Sequence, residues 1–254
     1  MKFCKPVFSC LLLVFIVLIP ALPCSATDDA TLAQIAQAND HYTKSQYNEA
    51  AGLYQDLVDR GFKNGYLYYN LANAYLRLGK TGPSILNYIR AQRLLPRDES
   101  LTANLKYAIQ KTQDQLEPQA TAGLSSLFFW TRNFNQNEHL KFLLTVNLLF
   151  WSAMGVWTVR RTEFWSLTRK TLLAILMVAV LSFGVKMVAE TESLPAVVMA
   201  QQIEIKSAKG EDNVTLFQLH EGAVVTIINR KNDWVQIELS DGKKGWTQKK
   251  FIGI

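Results

Sequence analysis

The run Tyr69-Asn70-Leu71-Ala72-Asn73-Ala74-Tyr75-Leu76-Arg77-Leu78-Gly79 decides the fold of the first half of this chain. Its small and aromatic residues recur at a fixed distance in both directions. Ala38 and Ala72 are 34 residues apart, as are His41 and Tyr75, Ala50 and Ser84, Tyr54 and Tyr88, and Leu57 and Ala91. A period of this length, with small residues at corresponding places, predicts stacked pairs of antiparallel helices. The small residues let neighbouring helices approach closely. Gly61 and Gly79 follow or turn helices, the place glycine takes after a helix C-terminus.

The register resembles that of a tetratricopeptide repeat. In the second copy Tyr68, Leu71, Ala72, Tyr75, Ser84, Tyr88, Ala91 and Pro96 fall on the aromatic, Leu, small, Tyr, small, aromatic, small and Pro places of that pattern. The first copy is looser, with Gln34 at the aromatic place and Phe62 at the proline place. The two copies occupy about 31–64 and 65–97. Asn104-Leu105 repeats Asn70-Leu71 at the same spacing, so residues 98–117 are expected to form a capping helix that closes an array over 27–117. Pro118 and the small, polar stretch after it break the pattern.

The 254-residue chain is 49% hydrophobic, but three continuous apolar runs stand out at 8–19, 142–159 and 171–189. The first follows Lys2 and Lys5, breaks at Pro20 and Pro23, and ends in Cys24-Ser25-Ala26. That pattern predicts a signal peptide over 1–26, cut after Ala26. Cys4, Cys10 and Cys24 all lie in it, so the mature chain is expected to have no disulfide, thiol nucleophile or thiolate metal site. The other two runs are long enough to cross a bilayer, and residues 118–141 before them read as a linker and an interfacial segment. The loop 160–170 holds Arg160, Arg161, Arg169 and Lys170 against one acid, Glu163. Short basic loops stay in the cytoplasm, so both flanking modules are expected on the opposite face.

Placing the charge removes a nucleic-acid function. Residues 27–123 hold ten basic and ten acidic side chains, and 190–254 hold eight and nine; the surplus behind the net +6 sits in the leader and the membrane region. Neither outer module offers the clustered basic face that a polyphosphate needs. Catalysis finds no foothold either. His41, His139 and His220 fall in unrelated segments, and the chain contains no HExxH, GxSxG or glycine-rich phosphate loop. No enzyme activity, cofactor or metal is expected.

The last segment, 195–254, has a different texture. Residues 197–199, 224–228 and 234–239 read as short strands, with turn signals at His220-Glu221-Gly222 and Asp241-Gly242. The order Leu-His-Glu-Gly, then Asp-Trp, then Asp-Gly and Gly-Trp resembles a bacterial SH3-like barrel. Trp234 and Trp246 are its core or groove candidates. The expected fold is thus a multi-domain membrane protein: an all-α repeat array, two transmembrane helices and an all-β SH3-like barrel.

That order of parts resembles the BatE-type proteins of Bat (aerotolerance) operons. The resemblance rests on residues 69–79, on Ala91-Gln92-Arg93-Leu94-Leu95-Pro96-Arg97-Asp98, on Asn104-Leu105 and on the Gly245-Trp246 ending. It implies a periplasmic scaffold in the bacterial inner membrane, with von Willebrand factor A-type membrane proteins and a MoxR-type ATPase as partners. The concave face of such repeats would carry Asn39, Tyr42, Tyr66, Tyr69, Asn70, Asn73 and Arg77 as partner-binding residues. Asn39 and Asn70 match the carboxylate-holding asparagines of peptide-binding repeats, whereas Ile35, Ser100 and Asn104 stand where the accompanying cations would be. The alternative function is cell-wall anchoring, in which the barrel binds peptidoglycan.

Overall fold

Five helices precede the apolar region: α1 (Asp29–Thr43), α2 (Tyr47–Asp59), α3 (Gly65–Arg77), α4 (Thr81–Leu94) and α5 (Glu99–Gln110). Each packs on the next. The computed structural model describes residues 29–116, 128–192 and 194–254; the leader expected over 1–26 and much of the expected linker lie outside them. Ala38, Ala50, Ala72, Ser84 and Ala91, small residues paired by the 34-residue period, are completely buried, and Tyr54, Leu57 and Tyr88 fill the space they leave. Ser84 satisfies its hydroxyl by donating to the Ala72 carbonyl at 2.9 Å, so a polar group sits in the core without an unmet hydrogen bond.

The helix ends follow from local sequence. The Asn64 side chain accepts from Tyr66 N and Leu67 N, and Asp98 accepts from Leu101 N, which satisfies first-turn donors that have no partner within the helix. At the end of α3, Gly79 takes φ of +73°. Gly79 N then reaches the Leu76 carbonyl and Lys80 N the Tyr75 carbonyl, the paired bonds that close a helix through a left-handed residue. α5 stops at Gln110, short of the 98–117 expected.

Two long helices follow a short 3-10 turn at Phe129–Arg132: α6 (Gln136–Val159) and α7 (Glu163–Glu192), packed against each other. Both are long and apolar enough to cross a membrane, and only 11% of the most apolar window of each is buried in the protein. Leu148, Leu149, Val180 and Leu181 are exposed along them, a surface suited to lipid and costly in water. Thr145 and Ser152 return their hydroxyls to the Lys141 and Leu148 carbonyls four residues back, so these polar residues need no outside partner. Both helices start earlier than their apolar runs. Asn135 and Glu138 form a reciprocal cap upstream of the apolar stretch, and the expected loop 160–170 contracts to residues 160–162 because α7 already starts at Glu163. At 1.5 Å per residue α7 is about 45 Å long, against about 30 Å of hydrocarbon.

β1 (Leu194–Val198) starts two residues after α7 ends. It is followed by β2 (Gln202–Lys206), β3 (Thr215–His220), β4 (Val224–Lys231), β5 (Trp234–Glu238), β6 (Lys244–Gln248) and β7 (Ile252–Gly253). They form one antiparallel sheet in the order β3-β2-β6-β5-β4-β1-β7. Val198, Ile203, Ile205, Leu219, Val225, Val235 and Ile237 fill its core. The three expected strands correspond to β1, β4 and β5; the others are the five- or six-residue strands β2, β3 and β6 and the two-residue β7, and carry little periodic signal.

The sheet does not stand apart from the helices. Val197 and Val224 belong to the same buried cluster as Ile85, Leu86, Tyr88 and Leu101. Glu221, in the turn between β3 and β4, accepts from Gly82 N at 2.9 Å, and Asp114 accepts from His220 N at 2.6 Å and contacts the His220 ring at 3.1 Å. Arg90 donates to the Ile254 carbonyl at 2.5 Å. A second joint ties the repeats to the apolar pair, where Asn135 Nδ2 donates to the Leu94 carbonyl and Arg97 pairs with Glu138. Because helices and sheet share a core, they lie on one side of any membrane that α6 and α7 cross.

Candidate functional site

The side chains of α1, α3 and α5 meet in a polar network that follows the same 34-residue period. Tyr54 donates to Asn39 Oδ1 at 2.5 Å, and Asn70 Nδ2 adds a second bond to that oxygen at 3.3 Å. One repeat later Tyr88 donates to Asn73 Oδ1 at 2.5 Å, and Asn104 Nδ2 reaches the same oxygen at 3.4 Å. In each unit a buried tyrosine from the outer helix fixes the asparagine of the inner helix, and an asparagine of the next hairpin completes the set. With the oxygen so occupied, the amide nitrogen of Asn39 or Asn73 is the atom left to donate to a ligand.

Burial sets the chemistry of the two phenols. The Tyr54 hydroxyl is pushed up to about 12, first by burial and then by the neighbouring Tyr42, with an opposing contribution from Asn70. Tyr88 is also raised, again mainly by burial and then by Tyr69. Both therefore stay protonated hydrogen-bond donors at ordinary pH.

The network borders two spaces that share Tyr42 and Asn73 in their walls. One, of about 190 Å³, lies among Asn39, Tyr42, Thr43, Tyr54, Asn70 and Asn73. The other, of about 590 Å³, is lined by Tyr42, Tyr69, Asn73, Leu76, Arg77, Tyr88, Asn104, Tyr107 and Lys111. Of the residues expected on the concave face, Asn39, Tyr42, Tyr69, Asn70, Asn73 and Arg77 are brought together here. Tyr66 is not: it is 60% exposed and lines neither space.

Two groove-lining residues escaped the sequence reading. Tyr107 comes from α5, expected only to cap the array, and Lys111 directly follows that helix, its Nζ 4.9 Å from the Tyr107 ring centre. Their signal was present in the Asn70–Asn104 register, which makes α5 another inner helix. The expected groove cation, Arg77, is joined by a second, Lys111. Both line the groove from positions other than those where the pattern of peptide-binding repeats would put cations.

The sheet carries the other candidate surface. Val235, Ile237, Gly245 and Thr247 point inward, so Trp234 and Trp246 share the opposite face, each half-buried. The register sets Trp234 opposite Gln248 and Gln236 opposite Trp246, which makes the two indoles diagonal neighbours. They are not core residues. Lys209 Nζ lies 5.3 Å from the Trp246 ring centre.

Residues 206–252 match the bacterial SH3 domain family. The match runs from the last residue of β2 into β7 and includes both tryptophans. No curated protein matches the chain. The bacterial SH3 domain is consistent with protein binding or association with the cell wall, and with an envelope setting for the apolar helices. Among the described residues, no cluster of three or more His, Cys, Asp or Glu could hold a metal ion.

Proposed function

We propose that the chain is a non-enzymatic adaptor of the bacterial envelope, anchored in the inner membrane by α6 and α7 with helices and sheet on the periplasmic face. The repeats are of the tetratricopeptide type, and their groove grips an extended protein segment that carries a carboxylate. Asn39 and Asn73 donate to the segment's backbone, the tyrosines supply contact area, and Arg77 and Lys111 hold its acid. The observation that carries this reading is the duplicated Tyr–Asn–Asn network, which holds two donors rigidly along one groove. The resemblance to BatE-type proteins makes von Willebrand factor A-type membrane proteins and a MoxR-type ATPase system the first partners to seek. Co-purification from crosslinked membranes tests the reading. The charge-reversing pair Arg77→Glu and Lys111→Glu should release an anionic partner while helicity and membrane insertion persist; unchanged co-purification would remove the groove from the mechanism.

A second reading is favoured by the outward Trp234–Trp246 pair, because flat aromatic faces suit sugar rings. Here the bacterial SH3 domain binds peptidoglycan. The assay needs the full chain in detergent, since excising residues 195–254 would bare Val197 and Val224. Retention on purified peptidoglycan that falls with Trp246→Ala would support this reading; absence of retention would remove it.

A further inference from the structure

A cavity of about 640 Å³ lies where the apolar helices meet the 3-10 turn, away from the groove and the tryptophan face. Its walls are apolar and aromatic: Trp130, Phe134 and Phe142 on one side, Ile175 and Val178 of α7 on the other. The walls are held in place. Trp130 Nε1 donates to Ser182 Oγ at 3.0 Å, and Lys186 Nζ donates to the Thr131 carbonyl at 3.0 Å. The volume falls in the range of small-molecule sites.

One polar atom in this lining is unaccounted for. His139 is 7% exposed, and its Nε2 is buried with no hydrogen-bond partner. Its Nδ1 lies 3.2 Å from the Asn135 carbonyl. A carbonyl only accepts, so Nδ1 holds the proton, and Nε2 of the neutral ring presents a lone pair. Glu138, the cavity's other ionisable group, is already engaged by Arg97 and by Asn135 N. The unmet acceptor is sealed beside the apolar chamber rather than open to it, and a turn of the ring toward that space would call for a donor carried on an apolar body.

We propose that this cavity binds a membrane lipid whose polar end carries a hydroxyl, donated to His139 Nε2 after a small rotation of the ring. Phe134, set edge-on to the imidazole at 5.9 Å, and Trp130 flank that end, and the rest of the lipid lies along α6 and α7. A phenolic ring and a glycerol alcohol present the same donor, so the experiment separates them.

The full chain in lipid nanodiscs is exposed to an alkylated hydroquinone or to dioctanoylglycerol, each mixed with an equal amount of its methyl ether. Bound species are counted by native mass spectrometry. The expected result is about a tenfold preference for the hydroxyl form over the ether, the value of one hydrogen bond, with the arm that shows it naming the source. His139→Phe should erase the preference, and His139→Gln, which keeps an acceptor, should restore part of it. Equal binding of alcohol and ether in both arms overturns the proposal, and so does binding no greater than that of His139→Phe. If His139→Phe does not insert, the alcohol–ether comparison on the unaltered chain still decides. The inference rests on α6 and α7 spanning a bilayer. A chain found only in the soluble fraction would overturn it together with that reading, whereas an inserted chain that treats alcohol and ether alike removes the lipid site only.

Discussion

The Glu221 carboxylate of the sheet accepts a hydrogen bond from Gly82 N, in the first turn of α4, at 2.9 Å. α4 has no cap of its own, because Lys80 stands at its N-cap and makes no capping bond. A residue 139 positions away in sequence supplies it. Repeats and sheet are thereby coupled through a helix terminus, where a negative charge is favourable.

Glu221→Ala should destabilise the whole chain by about 1 kcal/mol, the usual cost of losing a cap. The check is the denaturant midpoint of the detergent-solubilised protein, followed by far-ultraviolet circular dichroism. Glu221→Gln should fall between Ala and the parent, since the amide oxygen accepts without the charge.

Gly222 sits at φ +87°, and an added Cβ there would lie 2.5 Å from Thr112 Cγ2. Gly222→Ala therefore incurs both a backbone cost and an overlap, together about 2–4 kcal/mol. Adding Thr112→Ser removes the offending methyl and keeps the hydroxyl that bonds the Ile109 carbonyl. The double variant should recover the steric part in thermal unfolding and keep only the backbone part.

Tyr54 gives a pH dependence with a definite sign. The folded chain holds its proton more tightly than the unfolded chain, whose phenol has the ordinary value of 10.0. The stabilisation is complete below pH 10 and is lost as pH rises through about 12. Tyr54→Phe should lose about 1 kcal/mol at neutral pH with the Asn39 bond, yet show a shallower alkaline decline when unfolding midpoints are compared across that window.

Asp114 accepts from His220 N and faces the imidazole from just beyond α5. Asp114→Ala should cost about 1–3 kcal/mol and accelerate hydrogen exchange at the His220 amide. Protection unchanged from the parent would mean that the joint is held by its apolar contacts alone.

Much of this architecture was legible in the residues. The 34-residue spacing gave the helix pairs because tight packing admits only small side chains where two helices touch, and Ala38, Ala72 and Ser84 mark those contacts. The apolar runs announced the long helices, and the alternation in β5 its strand. The asparagines of the groove were legible as well, but the role of Tyr54 and Tyr88 in fixing them was not. The 34-residue period repeats both tyrosines and both asparagines but does not say that they bond to each other across 15 residues.

By itself, the sequence determined the local structure: repeat register, two helices fit for lipid, and the bacterial SH3 domain that holds Trp234 and Trp246. Tertiary structure alone decided that helices and sheet share a core, that Glu221 caps α4, that Lys111 joins Arg77 in one groove, and that His139 is sealed beside an apolar chamber. The division has a physical cause. Periodicity and capping depend on neighbours within a few residues, which the order of amino acids states directly. Contacts between segments a hundred residues apart depend on how completed surfaces fit together, and that fit is expressed only once the chain has folded.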